Sequence, residues 1–144
     1  LENKICKFTP LFDIDYTKKQ NIISISFFKI YGKGYKDLSL YINGIKLLNK
    51  YVHILDNFRV RLFIDNSIYS DKDIMGILNE LKNTDLVLYS CPSLLEEDKK
   101  HHIGVFGTFA RMFPLFDFPN NDAGIIQMYD IDYKSDKHVI NLYL

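Results

Sequence analysis

The run NIISISFFKI (21–30) is β-branched and aromatic almost throughout, the pattern of a strand buried on both faces. GKG at 32–34 breaks it. From Tyr35 onward, Leu38, Ile42, Ile45 and Leu48 recur at helical spacing, with Tyr41 and Val52 on nearly the same face. FRVRLFID (58–65) predicts a second strand, with Arg59 and Arg61 alternating against Val60, Leu62 and Ile64. Ser70 and Asp73 form an S-x-x-D capping arrangement, which predicts a helix with Ile74, Ile77, Leu78 and Leu81 on its apolar face. DLVLYSCP (85–92) reads as a third strand, stopped by Pro92. LLEEDKK reads as a solvated, charged connector that carries His101 and His102 at its end. IGVFGTFARMF (103–113) predicts a helix with Val105, Phe106, Phe109 and Phe113 on its apolar side, ended by Pro114. DFPNND (117–122) is a turn, and AGIIQMYDID (123–132) is the fourth strand. HVINLYL, near the C-terminus, fits a helix start or another strand.

Strands alternating with helices predict an α/β fold, a mainly parallel sheet sandwiched by helices. Ligands of such sheets bind beyond the carboxyl ends of the strands. That rule points to KIYGKGY, IDNSIYS, YSCPS and DIDY. Residues 1–20 are expected to be an N-terminal arm, because Pro10 interrupts the apolar stretch and a central strand does not accept proline well. Residues 21–144 then form the ligand-binding domain. The chain opens on Leu1 rather than Met, which predicts a trimmed N-terminus.

Composition narrows the class. Hydrophobic residues make up 47% and charged residues 25% of the 144, as in ordinary globular domains. The net charge is zero, so no electrostatic footprint for nucleic acid or an anionic membrane is present. No apolar run reaches the length of a membrane span. Cys6 and Cys91 stand in no C-x-x-C and near no histidine at a metal spacing. They are expected to be buried or half-buried free thiols, which implies a reducing, cytoplasmic location.

The chemistry concentrates where IIQM runs into DID. In an extended segment, residues i and i+2 share a face, so Asp130 and Asp132 can converge on one point. Carboxylates taken out of water need a partner. Hard divalent cations such as Mg²⁺ and Mn²⁺ prefer such oxygens and leave open positions for phosphates. The plainer alternative ends the strand at Tyr129 and leaves DID as an exposed loop. The same four letters occur earlier, in PLFDIDYT (10–17). There D-x-D-x-T resembles the nucleophile motif of haloacid-dehalogenase-type phosphohydrolases, which would make Asp13 the phosphorylated residue and Asp15 the acid and base. Pro10 and the KKQN that follows depart from that pattern.

ARMFPLFDFPNNDAGIIQMYDID resembles the segment of glycogenin-like, GT-A-fold glycosyltransferases in which an Arg-bearing helix, a proline-containing stretch and a turn lead to a strand that delivers a D-x-D. FRVRLFIDNSI and HIGVFGTFARMFPLFD also resemble predicted glycosyltransferases of giant DNA viruses. The resemblance implies a Rossmann-like, nucleotide-sugar-binding domain of GT-A type over 21–144. It implies Mn²⁺ or Mg²⁺ on Asp130 and Asp132, a nucleotide-sugar donor, an acceptor it does not identify, and a viral protein of the host cytoplasm. Carried over by position, Lys29, Tyr31 and Tyr35 line the nucleoside side. Asp65 stands near the base or ribose, and Arg111 faces the donor sugar or phosphates. Each has a plainer reading: packing for the tyrosines, a turn cap for Asp65, a solvated helix arginine for Arg111. The chain departs from the family where glycogenin-like enzymes place a metal-binding histidine much later, since His138 lies only six residues past Asp132. The acceptor-binding half is missing too, which predicts a fragment of a longer enzyme. Three readings follow: a metal-dependent glycosyltransferase, a phosphohydrolase on Asp13 and Asp15, and a non-catalytic α/β binding or structural module.

Overall fold

The computed structural model describes residues 6–12, 20–32, 37–55, 57–115 and 123–128. Its strands are β1 (Lys7–Pro10), β2 (Gln20–Phe27), β3 (Phe58–Ile64), β4 (Thr84–Ser90) and β5 (Ala123–Met128). Its helices are α1 (Leu38–Tyr51), α2 (Asn66–Tyr69), α3 (Lys72–Leu78) and α4 (Gly107–Ala110). The strands form one sheet in the order β1-β4-β3-β2-β5. β2 is parallel to both β3 and β5, β3 is parallel to β4, and β1 runs antiparallel to β4. The expected α/β architecture with a mainly parallel sheet is therefore present.

Alternation along the strands sorts the side chains onto two faces. Ile23, Ile25 and Phe27, Val60, Leu62 and Ile64, and Leu86 pack on one face against Ile45 and Leu48 of α1 and Ile74, Met75 and Leu78 of α3. Each such side chain, fully buried, contributes about 1.5–3 kcal/mol relative to exposure. On the opposite face Phe63, Val87, Tyr89 and Cys91 pack with Ala110 of α4, and Phe106 and Phe113 close over them. The change of face has a cause in the strand order. The chain steps from β2 to β3 to β4 in one direction and then returns past β2 to β5. Right-handed crossovers place a connection that reverses direction on the other side of the sheet.

Local chemistry sets the helix starts. Asp37 caps α1 by accepting from the Ser39 amide at 3.0 Å. Asp71, not Ser70, caps α3, accepting from the Ile74 amide at 3.2 Å. Ser70 instead closes α2, a helical turn that the S-x-x-D pattern concealed.

The predicted helix over 103–113 is reduced to α4. Gly104 has a φ of +52°, a left-handed conformation that stops a helix from beginning there. Val105 and Phe109 are 57% exposed, so the expected apolar side is split between core and surface. Gly107 is required by close approach: a Cβ built on it would overlap the Phe28 ring atoms Cδ1 and Cγ. Gly107→Ala is expected to destabilise the fold by about 1–3 kcal/mol, as overpacking does, measured as a lower midpoint in urea at unchanged slope.

The N-terminal arm contributes β1. Its four residues are exposed and pair at the sheet edge, where a terminal proline disturbs little. Cys6 and Cys91 are joined in a disulfide, with Cα atoms 4.1 Å apart. This corrects the expectation of two free thiols and removes the argument for a reducing compartment, because disulfides persist in oxidising ones. None of the described helices is long and apolar enough to cross a membrane.

Candidate functional site at the carboxyl edge

The carboxyl ends of β2, β3 and β4 lead into Phe28–Gly32, Asp65–Tyr69 and Cys91–Leu95. A chain of hydrogen bonds ties these three stretches together. The Lys29 amide donates to Ser67 Oγ at 2.9 Å. The Ser67 hydroxyl donates to Asp65 Oδ1, and the Ser67 amide donates to the same oxygen at 3.1 Å. Asp65 Oδ2 lies 3.0 Å from His102 Nδ1, and the Cys91 amide donates to His102 Nε2 at 3.0 Å.

Donor and acceptor roles in this chain are fixed by elimination. A backbone amide can only donate, so His102 Nε2 carries a lone pair and its proton sits on Nδ1, facing Asp65. Asp65 is 1% exposed and His102 3% exposed, so water does not compete for either. The His102 ring has no free nitrogen with which to act as a base. Asp65 and His102 brace the edge from beneath.

Sequence reasoning placed His102 in solvent because it follows a charged run. The connector folds back on itself, with Leu95 and His102 as bridge partners and the Ile103 amide bonded to the Leu94 carbonyl at 2.8 Å. That return buries His102 while leaving its charged tip in water. At the tip, desolvation acts to raise the Asp98 carboxyl. The amides of Lys100 and His101, together with the His101 ring, outweigh it and leave the group at about 2. The D-x-S of DNS was the available signal for Ser67, since such serines bond locally to the preceding acid.

Of the residues expected to meet a donor, Lys29, Tyr31 and Asp65 belong to these edge segments. The Lys29 ammonium pairs with Asp71 Oδ2 at 2.8 Å. That bond, with the Ile74 amide, holds the Asp71 carboxyl below its usual range. The Tyr31 ring is 41% exposed and its centroid lies 5.6 Å from the His101 ring, inclined at 60°. Arg111 follows α4; its carbonyl accepts from the buried Ser24 hydroxyl, and the residue is half-buried and has a further interaction. Ser24 is also the register partner of Met128, so α4, β2 and the described end of β5 meet there. Tyr35, Asp130 and Asp132, together with Asp13, Asp15 and His138, lie outside the described residues. Among the described residues no group of three or more His, Cys, Asp or Glu could hold a metal ion.

Tyr89 completes the buried cluster. Its ring centroid is 5.0 Å from that of His102, and its hydroxyl is buried with no hydrogen-bond partner among the described residues. Burial, and secondarily the Asp65 charge, push the phenol far above its ordinary range. No protein-family model, no curated protein and no solved structure matches the chain.

Proposed function

We propose that the chain binds a nucleotide-sugar at the carboxyl edge between β2 and β5, and that it serves glycosyl transfer with Mn²⁺ or Mg²⁺ held by Asp130 and Asp132. One observation carries this reading. β5 lies beside β2 on the side away from β3, so the chain reverses direction between them, and parallel sheets open their ligand crevice at such a reversal. In the sequence, Asp130 and Asp132 follow β5 directly.

The metal, when bound, offsets repulsion between the paired carboxylates and stabilises charge on a departing diphosphate. The protein's own groups supply position. Tyr31, exposed on the loop after β2, offers a ring face for a base to stack on. Lys29 and Asp65 act by holding that loop: their polar groups bind Asp71, Ser67 and His102 and leave the donor to residues above them. The Asp13 and Asp15 phosphohydrolase gains no support from β1, which runs opposite to the strands whose carboxyl ends form the edge.

The test is calorimetric titration of UDP- and GDP-sugars with and without Mn²⁺, on the unaltered protein and on Asp132→Ala. Binding should require the metal, and the variant should lose about tenfold or more in affinity. Equal binding by both proteins, or equal binding without metal, would sink the reading and leave the non-catalytic module standing.

A further inference from the structure

We propose that the Cys6–Cys91 bond is a thiol-controlled latch on the carboxyl edge, whatever ligand the edge takes. Cys91 ends two ties at once. Its Sγ is bonded to Cys6, next to β1, and its amide donates to His102. From His102 the hydrogen bonds pass through Asp65 and Ser67 to the amide of Lys29. One unbroken path thus joins an edge strand to the loop after β2.

Apart from the disulfide, β1 is lightly held. It is four residues long and exposed throughout. Among the described strands it pairs only with β4, and the Leu11 amide extends that ladder to the Leu86 carbonyl at 3.0 Å. Phe8 adds edge contacts to Phe63 and Phe113, but is itself 42% exposed. Short edge strands with few buried contacts open at low free-energy cost.

The two cysteines differ in exposure. Cys91 is 1% exposed, whereas Cys6 is half-buried. A dithiol reductant therefore attacks Cys6 Sγ. Its thiolate forms a mixed disulfide with Cys6 and expels Cys91 as a thiolate. The reductant's second thiolate then attacks its own sulfur in that mixed disulfide and releases Cys6. The reductant ends as a disulfide, and both cysteines end as thiols after taking up the two protons. With the bond open, β1 leaves the edge, the backbone at Cys91 loosens and the path to Lys29 slackens.

The experiment is amide exchange, followed by mass spectrometry, on the oxidised protein, on the protein reduced by dithiothreitol without denaturant, and on the reoxidised protein. At labelling times short against global unfolding, reduction should speed exchange about tenfold or more in peptides covering 7–11, 28–32 and 89–91 while α1 stays protected, and reoxidation should reverse the change. Cys6→Ser should reproduce the reduced pattern, and the reversible reduction stands if that variant does not fold. The proposal is overturned by free thiols in air-oxidised protein, by resistance of the bond to the dithiol, by unchanged exchange at 28–32, or by an equal rise in α1, which would mean general unfolding.

Discussion

Replacing His102 by alanine is expected to destabilise the protein by about 2–5 kcal/mol, because it strands two buried hydrogen-bonding groups at about 1–3 kcal/mol each, and more for a charged one. The deletion leaves Asp65 Oδ2 facing a cavity and the Cys91 amide without an acceptor, both away from water. Asp65→Asn is the more discriminating change. Asp65 accepts at both oxygens, from the Ser67 amide and hydroxyl at one and from His102 Nδ1 at the other. An amide has only one acceptor oxygen, so its NH₂ must face a donor in either orientation. Flipping the proton to His102 Nε2 does not help, because that nitrogen faces the Cys91 amide. Asn is therefore expected to cost nearly as much as alanine at His102, although it keeps the shape of Asp. Urea melts of both variants check this. Nitrogen NMR of the unaltered protein should find the His102 proton on Nδ1. A loss under about 1 kcal/mol for Asp65→Asn would show that the brace is not assembled as described.

How far the sequence anticipated this arrangement depended on the kind of signal. The strands around Ile25 and Leu86 were legible because burial on both faces leaves continuous apolar runs, and the strand around Leu62 because Arg59 and Arg61 alternate against Val60, Leu62 and Ile64. The face of α1 was legible because Ile45 and Leu48 keep helical spacing. β1 was not, since KFTP has neither a run nor a clean alternation and becomes a strand only through the neighbouring β4. The disulfide inherits that difficulty. Cys6 and Cys91 are 85 residues apart and meet only once β1 lies beside β4. The region 103–113 misled for the opposite reason: its apolar letters fit a helix, but Gly104 in a left-handed conformation and the tight seat of Gly107 under Phe28 allow only one turn. Of the candidate site, the loop carrying Lys29 and Tyr31 and the position of Asp65 could be read from strand ends. The part played by Asp65 could not, because its partner His102 arrives from a connector whose composition is that of solvent-exposed chain.

Removing the disulfide by the double change Cys6→Ala and Cys91→Ala is expected to lower stability by about 4 kcal/mol. The loop it closes spans 85 residues, and in the chain-entropy account a loop of that length costs the unfolded state about 4.5 kcal/mol of freedom. Measured effects commonly fall a little below that figure, because the unfolded chain keeps some structure. Alanine is the right replacement at Cys91. The site is 1% exposed, and a serine hydroxyl there would add its own burial cost. For a chain of this size the loss corresponds to a melting point lower by roughly 10 °C. The slope in denaturant carries a second sign. Without the cross-link the unfolded chain is more expanded, so the double variant should unfold with a steeper dependence on urea than the oxidised protein. Oxidised and reduced samples of the unaltered protein should bracket the same interval. If all three melt together, the bond carries no stability, and β1 is held without it.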